Sequence, residues 1–152
     1  MVYVTDRLLH SDLTGDILKC CFEVMRELGC GFLEAIYKNA LIIALKQHKL
    51  SVQVEKSFEV SFRQQKIGLY IADLVVDETV VVELKCCKCL LPEHQAQTIN
   101  YLTAADLPVG LLVNFGHRTL EYKRVEELLL ERRSFFRRLM RRCGYAAYRV
   151  II

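Results

Sequence analysis

Residues 109–115, Val-Gly-Leu-Leu-Val-Asn-Phe, constrain the fold more than any other stretch of the chain. The run is apolar except for Asn114. It is far shorter than the roughly 20 residues a membrane-spanning helix needs. A short strand that is apolar on both faces belongs inside a sheet covered on both sides. The segments before it supply partners. Residues 68–76 (Gly-Leu-Tyr-Ile-Ala-Asp-Leu-Val-Val) and 79–85 (Thr-Val-Val-Val-Glu-Leu-Lys) flank the polar pair Asp77-Glu78, which reads as a hairpin. Between hairpin and buried strand the sequence predicts a helix from Pro92 to about Ala105. Proline suits a first helical turn, and Glu93 suits the positive end of the dipole.

The first half of the chain is read the same way. Residues 13–28 put Ile17, Cys20, Cys21, Val24 and Leu28 on one helical stripe. A second helix is expected from about Leu33 to Gln47, with Ile36, Ala40, Ile43 and Ala44 toward the core. Gly29-Cys30-Gly31 is the turn between them. Residues 52–62 alternate around Val52, Val54, Phe58, Val60 and Phe62, as a strand does. Residues 119–124 would add an edge strand, and a last helix would run from Val125 to about Cys143. This order predicts an α/β sandwich with a mixed central sheet flanked by helices.

Composition narrows the class. The 152 residues fit one domain, and 53% apolar with 26% charged residues excludes a disordered chain. Two prolines and seven glycines exclude collagen-like sequence. Seven cysteines is an odd number, and Asp6, Arg7 and Asp12 stand where an export signal would be apolar. Reduced thiols, a cytoplasmic location and no membrane contact are therefore expected. Charge is uneven. From His117 onward ten Lys/Arg face four Asp/Glu, a net +6, while residues 1–116 carry a net −3. Residues 1–125 are expected to form the chemical domain, and residues 126–152 a basic amphipathic helix and tail.

The chemistry concentrates in Asp73, Glu83 and Lys85. Glu83 and Lys85, two apart on a strand, project to one face. A hairpin centred on Glu78 puts Asp73 opposite Glu83, so the three side chains converge. An Asp and a Glu offer the oxygen ligands that suit Mg²⁺ or Mn²⁺. An adjacent ammonium can stabilise phosphate charge or orient a water, which equips the site for phosphodiester hydrolysis. A salt bridge neutralised within the sheet fits the same three residues.

Asp-x9-Glu-x-Lys on a hairpin resembles the core signature of the PD-(D/E)XK nuclease superfamily. More narrowly, Gly31-Phe32-Leu33-Glu34-Ala35-Ile36-Tyr37 matches the motif of its GxxExxY family. Ile71-Ala72-Asp73-Leu74-Val75-Val76, Val82-Glu83-Leu84-Lys85, Gln97 with Tyr101-Leu102, and Gly110 through Gly116 continue the match in order. The resemblance implies a restriction-endonuclease-like fold, a divalent metal (Mg²⁺ or Mn²⁺) and a nucleic-acid substrate, DNA or RNA. It makes Asp73 and Glu83 the metal ligands and Lys85 the residue that positions or activates water. It adds Glu34 and Gln97 to the catalytic set. Tyr37 and Tyr101 would support the site or merely pack. The alternative is a nucleic-acid-binding or protein-interaction module that keeps the fold without turnover.

Two regions lie outside that pattern. Arg137, Arg138, Arg141 and Arg142 belong to an amphipathic stretch with Phe135, Leu139 and Met140. Such a stripe can bind a nucleic-acid backbone or an acidic partner. It serves equally as a solvated face on a helix that docks on the body, on a second copy or on another protein. The run Cys86-Cys87-Lys88-Cys89 has no recognised cluster spacing, and the cysteines are read as free thiols packing as small apolar groups.

Overall fold

The computed structural model describes residues 9–126 and 149–151. Two helices, α1 (Ser11–Leu28) and α2 (Glu34–Gln47), precede three strands, β1 (Val52–Phe62), β2 (Gln65–Val76) and β3 (Val80–Lys85). Then come α3 (Pro92–Ala105), β4 (Val109–Asn114), β5 (Glu121–Glu126) and β6 (Arg149–Ile151). The strands lie in sequence order in one sheet. Among the described strands only the β3–β4 pair is parallel, because α3 carries the chain back across the sheet between them. The sheet is therefore mixed, as the sequence predicts.

Helices cover both faces. On one, Ile17, Cys20, Cys21 and Val24 of α1 and Tyr37, Leu41 and Leu45 of α2 pack on Leu74, Val82, Leu84, Leu111 and Val113. On the other, Ile99, Tyr101 and Leu102 of α3 pack on Ala72, Val75, Val81 and Val125. Every residue of β4 is buried, so its apolar sequence reflects cover on both sides. At Gly110 a Cβ would meet the Thr98 methyl at 2.8 Å, so glycine lets α3 lie close to β4. The result is the restriction-endonuclease-like α/β sandwich.

Three expectations need correction. The buried stripe of α2 is Tyr37, Leu41, Ala44 and Leu45, while Ile36 and Ile43 are exposed. The helix is apolar on two stripes, and the large Tyr37 ring decides which one turns inward. Strand β2 starts at Gln65 rather than Gly68, because β1 and β2 continue to a two-residue turn at Arg63-Gln64. Both turn residues have positive φ, as such hairpins require, but neither is the glycine or asparagine that announces one. Finally, Val125 and Glu126 extend β5 instead of opening a helix. Residues 127–148, which include the four arginines and most of the expected last helix, lie outside the described residues.

Candidate metal and catalytic site

The hairpin turn sets the site. Asp77 and Glu78 both have positive φ, and the Thr79 N–H donates to the Val76 carbonyl. This tight turn locks the register, pairing Val76 with Val80 and Leu74 with Val82. Asp73 and Glu83 are the next positions. There the ladder stops, and the Leu84 N–H donates instead to Asp73 Oδ2 at 3.0 Å. The Asp73 side chain thus takes the place of a backbone partner and is fixed in orientation.

Glu83 is almost wholly buried. Lys85 Nζ donates to its Oε1 at 2.9 Å, and its Oε2 is buried with no hydrogen-bond partner among the described residues. Burial raises the Glu83 pKa to about 7, and the nearby Asp73 charge adds to the rise; Lys85 and the Asp73 backbone only partly offset them. Burial opposes the Lys85 ammonium, but Glu83, with Glu34 and Asp73 beyond it, holds its pKa above the ordinary lysine value. An unpartnered oxygen on a buried carboxylate beside a second carboxylate is a place short of positive charge. The donor set fits a divalent cation bound through hard oxygens.

The flanking residues divide into those that face this centre and those that hold its frame. Glu34, exposed at the start of α2, lies near enough to act on the Lys85 charge. Tyr101 is buried, and after burial itself the Glu83 charge is the main cause of its raised pKa. Gln97 Nε2 donates to the Tyr101 hydroxyl at 2.8 Å, so these two form one unit on α3. Tyr37 does not reach the carboxylates. Its hydroxyl donates to the Gly29 carbonyl at 2.6 Å and accepts from the Phe32 N–H at 3.3 Å. Its ring stacks on Phe115 with centroids 4.8 Å apart. In the sequence Gly-x-x-Glu-x-x-Tyr, then, the tyrosine clamps the glycine turn from which Glu34 emerges. Gly31, at φ 111°, is the residue type that turn needs.

Asn114 is the second frame residue. It is fully buried, and its Oδ1 accepts from the Cys87 and Gly116 N–H groups while its Nδ2 donates to the Cys87 carbonyl and to Glu121. The Phe115 N–H donates to the Lys85 carbonyl at 2.8 Å. A Cβ on Gly116 would fall 2.4 Å from the Cys87 carbonyl oxygen, so only glycine fits. The segment Asn114-Phe115-Gly116 therefore grips the chain just after Lys85.

Sequence reasoning missed Lys38 and Glu55. Lys38 Nζ lies 3.4 Å from Asp73 Oδ1 and 3.1 Å from Glu55 Oε1. Lys38 sits one helical turn after Glu34, a spacing visible in the sequence. Glu55 comes opposite Asp73 across β1–β2 only because the unannounced turn and a one-residue register shift between Val60 and Ser61 together set that pairing. Of the described cysteines, Cys20 and Cys21 are buried as expected, whereas Cys30 and Cys89 are exposed and Cys86 and Cys87 half-buried. His94 caps its own helix, its Nδ1 accepting from the Leu91 N–H.

A family model described as the PD-(D/E)XK nuclease superfamily matches residues 11–125, most of the chain and all of this site. A solved structure, "Crystal structure of SSO0001", is similar with a TM-score of 0.51 at 24% identity, over 64% of this chain. At that identity the likeness carries the fold alone. The match spans 51% of that structure's chain, so this chain accounts for about half of its length. No curated protein matches. No helix among the described residues is long and apolar enough to cross a membrane. The chain belongs to the PD-(D/E)XK nuclease superfamily.

Proposed function

From that membership we propose that the chain is a Mg²⁺-dependent nuclease of the GxxExxY type, hydrolysing phosphodiester bonds of DNA or RNA. One observation carries the reading: a buried Glu83 oxygen without a partner, beside Asp73 and next to an ammonium already held by the same carboxylate. Asp73 and Glu83 would hold Mg²⁺ or Mn²⁺. Such an ion acts as a Lewis acid on phosphate oxygens and lowers the pKa of bound water. Lys85 keeps its proton, because its surroundings favour the charged form. Its ammonium orients the attacking water or meets the charge that builds on the phosphate in the transition state. Glu34 steadies Lys85 from the α2 side. Gln97 and Tyr101, bonded to each other, close the α3 side, where the Tyr101 O–H and the second Gln97 N–H would donate to a phosphate or sugar.

A structural salt bridge explains the site less well. It accounts for Glu83 Oε1 and Lys85 but leaves Oε2 buried and unsatisfied, which costs about 1–3 kcal/mol or more for a charged group. The test is calorimetric titration of the full chain with Mg²⁺ and Mn²⁺, together with cleavage assays in either metal and in EDTA. Wild type should bind metal and cleave nucleic acid, with both lost in Asp73→Ala and cleavage stopped by EDTA. A folded wild type that neither binds metal nor cleaves any DNA or RNA would overturn the reading in favour of a silent binding module.

A further inference from the structure

Both oxygens of Asp73 are engaged: Oδ2 by the Leu84 N–H and Oδ1 by Lys38. The first contact is part of the strand frame. The second comes from a flexible side chain on α2 that is itself only 18% exposed. A divalent cation approaching Asp73 therefore meets an ammonium on Oδ1, the oxygen that the strand frame does not hold. Two positive charges a few ångströms apart in a half-buried place repel strongly. Lys38 already has a second seat. Glu55 Oε1 lies 3.1 Å from Nζ, on the more solvated side, with the Glu55 side chain 65% exposed. Glu55 occupies the position opposite Asp73, and there the β1–β2 ladder is interrupted between Val54↔Leu74 and Lys56↔Ala72. Its φ of 51° is uncommon for a non-glycine residue within a strand.

We propose that Lys38 is the counter-ion of Asp73 in the metal-free protein, that it moves wholly to Glu55 when a divalent cation binds, and that this exchange sets metal affinity. The inference rests on the metal-site reading above. Lys38 does not touch the reacting atoms in this scheme; it is a positioning residue, and Glu55 is its acceptor. The exchange moves no proton and breaks no covalent bond. One ammonium trades a shared contact for an undivided one, and the cation takes the vacated oxygen. Two consequences of opposite sign follow. Removing Lys38 should tighten metal binding. Removing the Glu55 charge should weaken it, because Lys38 then has nowhere else to go.

The experiment is calorimetric titration of the full chain with Mn²⁺, on wild type, Lys38→Met, Glu55→Gln, the double variant and Asp73→Ala, each with a thermal melt. Lys38→Met should lower the Mn²⁺ Kd about tenfold, and Glu55→Gln should raise it several-fold. In the Lys38→Met background Glu55→Gln should have little further effect, since the acceptor matters only while the ammonium is present. Lys66→Met, which removes a distant charge paired with Glu59, should leave the Kd unchanged. An unchanged or raised Kd in folded Lys38→Met, or a Glu55→Gln effect of equal size with and without Lys38, would overturn the proposal. If the methionine variant does not fold, Lys38→Gln is read by the same criteria. Asp73-dependent binding in wild type with no response to Lys38 sinks this inference alone; no Asp73-dependent binding at all sinks the metal site and the inference together.

Discussion

Glu83 is where burial, charge and chemistry meet on one residue. Its folded pKa of about 7 stands above the ordinary 4.5. Between those values the unfolded chain has released the proton while the folded protein keeps it. Stability of the metal-free protein should therefore fall as pH rises from about 4.5 to about 7, by a few kcal/mol at most. Melts in EDTA across that range, wild type against Glu83→Gln, should show a gap that closes or reverses toward the upper pH; a constant gap contradicts this. Metal affinity should run the other way, rising with pH until Glu83 is ionised. Asn114 offers a purely structural prediction. Asn114→Ala strips partners from the Cys87 and Gly116 N–H groups, the Cys87 carbonyl and Glu121, and should cost about 2–4 kcal/mol in urea unfolding. A loss under about 1 kcal/mol would mean water replaces those bonds. At this scale the convergence of Asp73, Glu83 and Lys85 was readable from the sequence, because strand period and a short turn suffice to place them. Lys38 and Glu55 were not, because their meeting depends on how α2 lies over two strands.

Helix α2 shows what periodicity leaves open. Its sequence offers apolar residues at both 36/40/43 and 37/41/44/45, and spacing alone does not choose between them. Tyr37 chooses: it stacks on Phe115 and ties its hydroxyl to the Gly29–Phe32 turn. That anchoring brings Glu34 and Lys38 to the flank beside Lys85 and Asp73. Tyr37→Phe should keep the stack and lose the turn bonds, costing about 1–2 kcal/mol, with the Phe32 N–H left to find water. An unchanged urea midpoint would show that the turn holds without the hydroxyl. Strand β4 was the opposite case. Its apolar run from Val109 to Val113 admitted one reading, a strand covered on both faces, and the helices on either side supply that cover.

For the whole molecule, the mixed sheet followed from element order, since a hairpin, a crossover helix and a buried strand leave few arrangements. The extent of the β1–β2 arm was not legible, because Arg63-Gln64 gives no turn signal. The basic segment tests separately. If Arg137, Arg138, Arg141 and Arg142 contact a nucleic-acid backbone, replacing them should flatten the salt dependence of binding by roughly one unit of slope per lost contact. An unchanged slope assigns them to solubility or to protein contacts. The central claim, that Asp73, Glu83 and Lys85 form a working hydrolytic site, is tested most directly by turnover of Lys85→Met. Methionine keeps most of the stem packing and removes only the charge. With Mg²⁺ or Mn²⁺, on single- and double-stranded DNA and RNA, wild type should cleave at least one substrate. The variant should melt near the wild-type temperature and lose on the order of 100-fold or more in rate. A methionine variant that cleaves as fast as wild type, or that loses its fold along with its activity, would make Lys85 a structural partner of Glu83 and contradict the account.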